Sequence, residues 1–524
     1  MEHCRGRHGS QPTAPAAAQP GASEEAAARE RWGSIKSIVN EPLLNVSPDA
    51  WWISVALCWL LLPLNLLQGA LAGTIGGVLV LFAVGGGCCG LGGWCSVYGA
   101  VMAGRPLHLA FNMWRYMIGT LVALIRNGRS RLGLFLWERD AFGQSRYFWH
   151  GEGIWCWSHR DCDAILRGPQ RRAKAFGCVR CCCPDLFAER LILFLSNDAS
   201  EEGAEWRAIR QVMHCHFLEH SGATYRSRLE QLPGRLREAW PGPALQDFDD
   251  LARVRAAVAR CIFFMMFGVW LENAEAATLA KWRAYASLFI LPRLAQRLLF
   301  NIGIGRVKQL RVDTVGLIEK YGLQSVFLAM NEELPQRFRR ARAVQLCDEM
   351  MYAVGFAGVG GTSACVESVG AFLQLKKPAE SFGIDFGAYK SSEEMLAAYL
   401  ADPVAYIKET CRLDSPVTSA TSALYEEQVV ELGGGKLHMP AGSLNQYALS
   451  VANRDPAVFV DPGVFRPGRA NLSQALTWNG AFGVPNEEQL YPRICPARYL
   501  ALDIARCVVD HVVSASYDGT APAA

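Results

Sequence analysis

The sequence predicts a mainly α-helical protein with a minor β-sheet, preceded by an N-terminal membrane segment. Most of the chain after Ser158 has the composition and apolar spacing of helices. Two regions, Leu132–Trp157 and Val429–Ala448, contain aromatic and β-branched runs between turn residues, which indicates short strands. The region Ala50–Gly104 contains no Asp, Glu, Lys, Arg or His. Because a membrane span needs roughly 20 apolar residues, this region is long enough for one or two spans.

Composition divides the chain into five parts. The first is poor in large apolar residues and is expected to be disordered. The second is the uncharged membrane anchor, and the arginines that follow it favour a cytoplasmic or stromal position for the downstream domain. The predicted parts are 1–49 (disordered), 50–104 (anchor), 105–125 (amphipathic lead-in), 126–515 (globular domain) and 516–524 (C-terminal tail).

The globular domain is predicted to be built mostly from helices. Short strands are expected at Leu132–Trp137, Arg146–Trp149 and Gly153–Trp157 before the helical part begins. The predicted helices are Ser158–Leu166, Ala204–Phe217, Leu251–Phe267, Ala274–Gln296, Ala343–Leu375, Glu393–Leu400, Pro403–Leu413 and the apolar run Tyr499–Val513.

The overall charge argues against a polyanionic partner such as nucleic acid. The chain has 524 residues and a net charge of only +3. Hydrophobic residues make up 51% and charged residues 19%, which is enough apolar material for a large core and for membrane contact.

Cys495 is the first candidate functional residue. It lies in the turn Tyr491–Arg498, two residues after Arg493 and directly before the apolar run Tyr499–Val513. Unpaired N–H groups at a helix N-terminus and a nearby arginine both favour a thiolate. From this turn alone Cys495 is a metal ligand, a nucleophile or a small buried residue.

Two further groups of charged residues stand at helical spacing. Glu409 and Arg412 lie three positions apart and share a helix face, and Arg469 follows in a Pro-rich segment from which it can join them. Trp206 and Arg210 lie four positions apart, where they can hold an anionic group together. Taken singly, each group is also typical of an ordinary surface helix.

The long helix Ala343–Leu375 is interrupted by four glycines, at Gly355, Gly358, Gly360 and Gly361. Each glycine in a helix interior costs about 1 kcal/mol relative to alanine. Either a close approach of the backbone to a flat group compensates for this cost, or the helix kinks.

In their order along the chain these features resemble a cytochrome P450, over roughly residues 126–515. The resemblance is strongest at Leu437–Gly442, Ala452–Pro456 and the cysteine turn. It implies the cytochrome P450 fold and a haem b cofactor, with Cys495 as the axial thiolate ligand of the iron. It also implies a structural triad of Glu409, Arg412 and Arg469, and it implies that Trp206, Arg210 and Arg493 bind the haem propionates.

In the long helix, the resemblance implies a catalytic role for Gly361 and Thr362. It further implies a substrate pocket bordered by Phe356, Ala357 and Gly358.

A finer similarity points to the allene oxide synthase and hydroperoxide lyase family. It rests on Leu476–Gly480, with its Trp-Asn-Gly sequence, and on the glycine-rich Gly355–Gly361. The resemblance implies rearrangement or cleavage of fatty-acid hydroperoxides without O2 or a reductase. In the long helix, Gly360 and Gly361 stand where a monooxygenase typically has an acid before its alcohol, and a substrate that already contains an O–O bond needs no such pair. Glu488 also replaces the phenylalanine that monooxygenases have seven residues before the cysteine.

Several positions depart from the family pattern. Ala357 stands where the hydroperoxide family has an asparagine, while Tyr491 and Ala497 occupy positions that are usually glycine. The stretch after Cys495 is expected to leave the usual C-terminal hairpin short or absent. Two alternatives therefore stay open: a monooxygenase that uses O2, NADPH and a P450 reductase on a lipophilic substrate, and a haem-binding protein without turnover.

A zinc site is a separate hypothesis. Cys178 and Cys181 form one C-x-x-C step, and His216 and His220 lie four residues apart further along the chain. Four such ligands are the number that a structural zinc ion requires. For localisation, the endoplasmic reticulum and a plastid membrane both remain open.

Overall fold

The computed structural model describes about two thirds of the chain. The described residues are 22–36, 147–148, 154–168, 192, 195–285, 301–377, 383–423, 428–432, 435–439 and 444–517. The predicted membrane segment 50–104, the lead-in 105–125 and the predicted strand Leu132–Trp137 lie outside these residues, as do Cys178 and Cys181.

Helices dominate the described part of the chain, as the sequence predicts. The helices Leu251–Phe267 and Pro403–Leu413 have the predicted bounds. The helices are α1 (Ala22–Trp32), α2 (His159–Arg167), α3 (Glu201–Met213), α4 (Ala223–Ala239), α5 (Leu251–Phe267), α6 (Asn273–Tyr285), α7 (Asn301–Lys320), α8 (Gln324–Glu333), α9 (Ala343–Ala353), α10 (Gly360–Leu373), α11 (Ser392–Ala401), α12 (Pro403–Leu413), α13 (Leu449–Ala452), α14 (Glu487–Leu490) and α15 (Arg498–Tyr517).

Local signals set the ends of several helices. Ser200 caps α3 by accepting a hydrogen bond from the N–H of Gly203, and Asp402 caps α12 in the same way at Ala405. Pro403 occupies the first turn of α12, where its missing N–H costs nothing. Gly268 ends α5 with a φ of 74°, a left-handed conformation that glycine adopts without strain.

The sheet is small, as predicted, and its strands come from distant parts of the chain. The four-stranded sheet has the order β1-β2-β6-β3, and a separate hairpin pairs β4 with β5. Strand β2 runs parallel to β6, with Trp155 opposite Gln446, while β1 and β3 pair antiparallel to their neighbours. The strands are β1 (Tyr147–Phe148), β2 (Ile154–Cys156), β3 (Ala420–Ala423), β4 (Gln428–Leu432), β5 (Gly435–Met439) and β6 (Leu444–Tyr447).

The glycine-rich long helix neither breaks nor ends at its glycines. Helices α9 and α10 are joined by one π-helical turn, Val354–Val359, and continue as a single rod through the core. It packs against α5, α6, α7, α12 and α15. Within the described part of the chain, Ala343–Leu373 is the one segment long and apolar enough to cross a membrane, and 67% of its most apolar window is buried inside the protein.

The N-terminal segment contains a structured part that the sequence did not predict. Residues 1–49 were expected to be disordered, but for residues 22–36 this expectation is wrong. Helix α1 packs on α8 and α9, and Trp32 and Ile35 are each only 6% exposed. The indole of Trp32 donates a hydrogen bond of 2.8 Å to Glu319. Two buried side chains from an otherwise polar segment therefore anchor it to the domain.

Two of the glycines in the long helix should respond in opposite ways to substitution by alanine. An added Cβ at Gly355 would lie 2.5 Å from the ring of Trp282, whereas at Gly361 it would meet no described atom within 4 Å. Trp282 is 1% exposed and donates a hydrogen bond to Thr314, so it has little freedom to move. We expect Gly355→Ala to destabilise the fold by about 1–3 kcal/mol. Gly361→Ala should stabilise it by about 1 kcal/mol, because alanine is the better helix former.

Urea unfolding of the two variants, followed by circular dichroism, tests this difference. Equal midpoints for the two variants would show that Trp282 does not require the glycine.

Candidate active site

A buried cluster of three charged side chains joins α12 to the Pro-rich segment that follows α13. The carboxylate of Glu409 accepts hydrogen bonds from Arg412 at 2.7 Å and 2.8 Å and from Arg469 at 2.9 Å. Glu409 and Arg412 are completely buried, and Arg469 is 9% exposed. The structure thus brings together the three residues that the sequence placed on a helix and in a distant Pro-rich segment.

The two arginines of this cluster hold the backbone of the Pro-rich segment. Arg412 donates 2.8 Å hydrogen bonds to the carbonyls of Asn453 and Pro462. Arg469 donates 2.7 Å hydrogen bonds to the carbonyls of Asp461 and Val464. A single carboxylate therefore fixes two guanidinium groups, and these fix an irregular stretch that has no regular secondary structure of its own.

The cysteine turn is held by the Trp-Asn-Gly loop. The N–H of Cys495 donates to the carbonyl of Trp478 at 2.8 Å. The side-chain amide of Asn479 donates to the carbonyl of Arg493 at 2.9 Å. Asn479 has a φ of 61°, a left-handed conformation that asparagine tolerates better than most residues. The Trp-Asn-Gly loop therefore has a structural role, which is to hold the cysteine turn.

Gly480 in the same loop accommodates Tyr491. A Cβ at Gly480 would lie 2.7 Å from the Tyr491 ring, so only glycine fits at the observed position. The phenol of Tyr491 donates to Asp163 and accepts a hydrogen bond of 3.0 Å from Arg167 on α2. The tyrosine that replaces a family glycine therefore ties the cysteine turn to α2.

The surroundings of the Cys495 sulfur act on its pKa in opposite directions. Burial raises the pKa of the Cys495 thiol, while the N–H of Ala497 and the charges of Arg210 and Arg498 act to lower it. These three groups stabilise a thiolate, and an ion bound to the sulfur would offset the cost of burying it.

Trp206, Arg210 and Arg493 meet on one side of the turn. The guanidinium carbons of Arg210 and Arg493 lie 5.2 Å and 5.0 Å from the centre of the Trp206 ring. Arg210 donates to the carbonyl of Ile494 at 2.6 Å, and Arg493 donates to that of Leu195 at 2.7 Å. Burial lowers the pKa of Arg210, while the nearby Cys495 and Glu488 act to raise it.

One partner of the turn was missed from the sequence. Arg498 donates to Glu487 at 2.6 Å and to Glu488 at 3.0 Å, and Tyr499 also donates to Glu487. Arg498 is 3% exposed. In the sequence, Glu488 stands out only as a replacement for phenylalanine. The spacing between these two acids and the arginine at the start of α15 was the available signal.

The long helix supplies the remaining predicted residues. Phe356 and Gly358 are half-buried and Ala357 is exposed, all within the π-helical turn. Thr362 is 4% exposed, and Phe356 stacks on Tyr352 at 6.0 Å. A π-helical turn is often found at functional sites, and here it coincides with the predicted substrate-contacting residues.

The proposed zinc ligands find other partners as far as the structure describes them. His216 contacts Glu333 at 3.1 Å, and His220 stacks on Tyr499 with ring centres 4.2 Å apart. Among the described residues no group of three or more potential metal ligands is found. With Cys178 and Cys181 outside those residues, the zinc site stays a prediction.

Comparison with known proteins identifies the architecture. No protein-family model matches the sequence, and no curated protein matches it. The crystal structure of P450BioI in complex with an acyl carrier protein carrying hexadec-9Z-enoic acid is similar, with a TM-score of 0.53 and 15% identity. The similarity covers 76% of this chain and 92% of that chain. The chain has the cytochrome P450 fold.

A second solved structure of a cytochrome P450 is also similar to this chain. Full-length CYP116B46 from Tepidiphilus thermophilus gives a TM-score of 0.50 at 16% identity, covering 74% of this chain and 48% of that chain. The P450 fold expected from the sequence is therefore confirmed. At this level of identity the similarity establishes the fold alone, and it does not separate hydroperoxide-converting enzymes from monooxygenases.

The P450 fold implies a haem group, and the residues around Cys495 fit one. The sulfur has an N–H donor and two nearby cations, which suits a thiolate bound to a metal ion. Two guanidinium groups flank Trp206, which suits the carboxylates of a porphyrin. The long helix presents Gly361 without any described atom near its absent Cβ, leaving room for a flat group.

Removing the charge of the Glu409 carboxylate should lower the free energy of unfolding far more than removing the charge of an exposed carboxylate. Glu409→Gln would leave Arg412 and Arg469 buried without a counter-charge, and we expect a loss of about 3–5 kcal/mol in the free energy of unfolding. Glu431→Gln is the matched control, because Glu431 pairs with Lys436 and both side chains are more than half exposed. It should change stability by about 0–1 kcal/mol.

Chemical denaturation of both variants, with haem content measured in parallel, tests the difference. A loss below 1 kcal/mol for Glu409→Gln would contradict the role given to this cluster.

Proposed function

We propose that this protein is a haem-thiolate enzyme of the cytochrome P450 type that rearranges or cleaves fatty-acid hydroperoxides without O2 or a reductase. The observation that carries the haem assignment is the setting of Cys495. Its sulfur accepts a backbone N–H and lies near two arginines, in a turn held by the Trp-Asn-Gly loop.

Each part of the site has a role in holding the cofactor. Cys495 would be the axial ligand, and the N–H of Ala497 would limit the negative charge on its sulfur. Trp206, Arg210 and Arg493 would bind the propionates, giving the buried guanidinium groups the anions that their positions favour. When bound, a haem iron with a thiolate ligand supplies the chemistry for cleaving an O–O bond.

The preference for hydroperoxides rests on the long helix. Thr362 is preceded in the sequence by Gly360 and Gly361, in place of the acid that typically precedes the alcohol in a monooxygenase. A hydroperoxide brings its own O–O bond and needs neither this pair nor external electrons. Phe356, Ala357 and Gly358 would contact an apolar acyl chain with side chains that carry no charge.

A monooxygenase is the second candidate, and one observation favours it. The hydroxyl of Thr362 lies in the long helix and is almost completely buried, one residue past the glycine pair. A hydroxyl in this position could take part in proton delivery after O2 binds, with electrons from NADPH through a P450 reductase. A haem-binding protein without turnover is the third outcome that an experiment must separate.

Conversion of a fatty-acid hydroperoxide under anaerobic conditions without NADPH tests the proposal. We expect the purified haem-loaded protein to consume an 18-carbon hydroperoxide, with products identified by mass spectrometry. Cys495→Ser should lose the thiolate-type ferrous–CO spectrum and convert substrate no faster than free haem at the same concentration.

Each result decides between the candidates. Hydroxylated product that appears only with O2, NADPH and reductase would favour the monooxygenase, and a normal spectrum without turnover would favour a binding protein. An unchanged CO spectrum in Cys495→Ser would refute the ligand assignment.

We also propose that residues 50–104 anchor the enzyme in the endoplasmic reticulum or a plastid membrane. The support is the absence of charged residues from this part of the sequence. Replacing Leu61 and Leu64 together by arginine should release the protein from membranes during alkaline carbonate extraction, because arginine at the centre of a span costs about 2.5–3.5 kcal/mol. Replacing both by isoleucine is the control. Release of the unsubstituted protein under the same treatment would contradict the anchor.

A further inference from the structure

We propose that a cavity between α4, α5 and α6 is a second ligand site, one that binds an aromatic carboxylate. The cavity has a volume of about 480 Å³, within the range of small-molecule sites in proteins. Its walls include Trp240, Arg253, Ala256, Arg260, Trp270 and Asn273. The inference does not depend on the reaction proposed above.

The cavity contains a buried cation without an acidic partner among the described residues. Arg260 is 8% exposed. Its guanidinium donates to two neutral acceptors, the carbonyl of Leu271 at 3.0 Å and the side-chain oxygen of Asn273. Burial lowers the pKa of Arg260. A buried charge is stable when it is paired, so a carboxylate in the cavity would stabilise this guanidinium.

Two acidic side chains lie beside Arg253, one of the residues that line the cavity, and are paired with it. Asp247 and Asp250 lie 3.6 Å and 3.5 Å from the half-exposed Arg253. None of the residues that line the cavity is acidic. The interior positive charge therefore belongs to Arg260, and an incoming anion meets no negative side chain on the cavity wall.

Two tryptophans give the cavity flat apolar walls in fixed positions. The indole of Trp240 donates to Asp247 at 3.2 Å, and its ring is also held edge-to-face by His511. Trp270 packs edge-to-face on Phe264 with ring centres 5.7 Å apart. Rigid aromatic walls suit a flat ligand, because stacking then costs little ordering of the protein.

The cavity is separate from the candidate haem site. Arg253, Ala256 and Arg260 lie at helical spacing along one face of α5. Arg255, on another face, donates to Glu367 of the long helix at 2.6 Å. The long helix thus contacts α5 away from the cavity, and none of the residues assigned to the haem site lines it.

Calorimetric titration of the haem-loaded protein with 2-naphthoate tests the site, with 2-naphthamide as the uncharged ligand of the same shape. We expect naphthoate to bind at least about tenfold more tightly than the amide, because a charged hydrogen bond is lost with the amide. Absence of naphthoate binding, or equal affinity for the two compounds, would overturn the proposal.

Three variants test whether naphthoate binds in this cavity. Arg260→Met should weaken naphthoate binding at least about tenfold, and Ala256→Phe should do the same by filling the cavity while leaving Arg260 intact. Arg228→Met is the matched control: Arg228 is another arginine bonded only to carbonyls, those of Met265 and Met266, and it does not line the cavity. It should leave the affinity unchanged.

Binding in the main substrate pocket would give unchanged affinity in Ala256→Phe and would overturn the assignment. The second variant also keeps the test decisive if Arg260→Met does not fold. Since the readout is binding and not turnover, failure of the proposed reaction leaves this test intact.

Discussion

The carboxylate of Glu409 is the interaction on which the irregular Pro-rich segment between α13 and the Trp-Asn-Gly loop depends. It is fully buried and shared by two guanidinium groups, which in turn bind five backbone carbonyls of that segment. A buried ion pair is a weak source of net stability, because desolvation cancels most of the attraction. Here the ion pair serves to hold the backbone of the segment in one conformation. An irregular segment has no hydrogen-bond ladder to fix it, and the two arginines supply fixed donors in its place.

The cysteine turn is held by a different set of contacts, among them those from Trp478 and Asn479. Burial raises the pKa of the Cys495 thiol, and the N–H of Ala497 and the charges of Arg210 and Arg498 offset only part of that rise. Arg498 is itself held by Glu487 and Glu488. The groups that favour a thiolate therefore come from α3, α15 and the turn itself, and a metal ion bound to the sulfur would offset the remaining cost of burying it.

The glycines of the long helix serve different purposes. Gly355 allows Trp282 to lie against the helix, and Gly370 allows the same for Phe248, whose ring would be 2.3 Å from an added Cβ. At Gly361 no described neighbour requires the glycine. The same residue type thus marks tight packing at two positions and open space at another. Only the latter is relevant to a bound cofactor or substrate.

The sequence by itself determined the helical class, the bounds of α5 and α12, and the grouping of Glu409 with Arg412 and Arg469. Those features depend on short-range spacing, such as the three-position separation of Glu409 and Arg412, or on motifs whose order resembles one family. Tertiary structure alone decided the rest. The docking of α1 through Trp32, the contact of Gly480 with Tyr491, the pairing of Arg498 with two acids and the cavity beside Arg260 all depend on side chains that meet across the fold. Local patterns carry no information about which distant group will fill a space or neutralise a charge. The same limit explains why α4, α7 and α8 were missed: their apolar residues are recognisable as a buried face only once their neighbours are known.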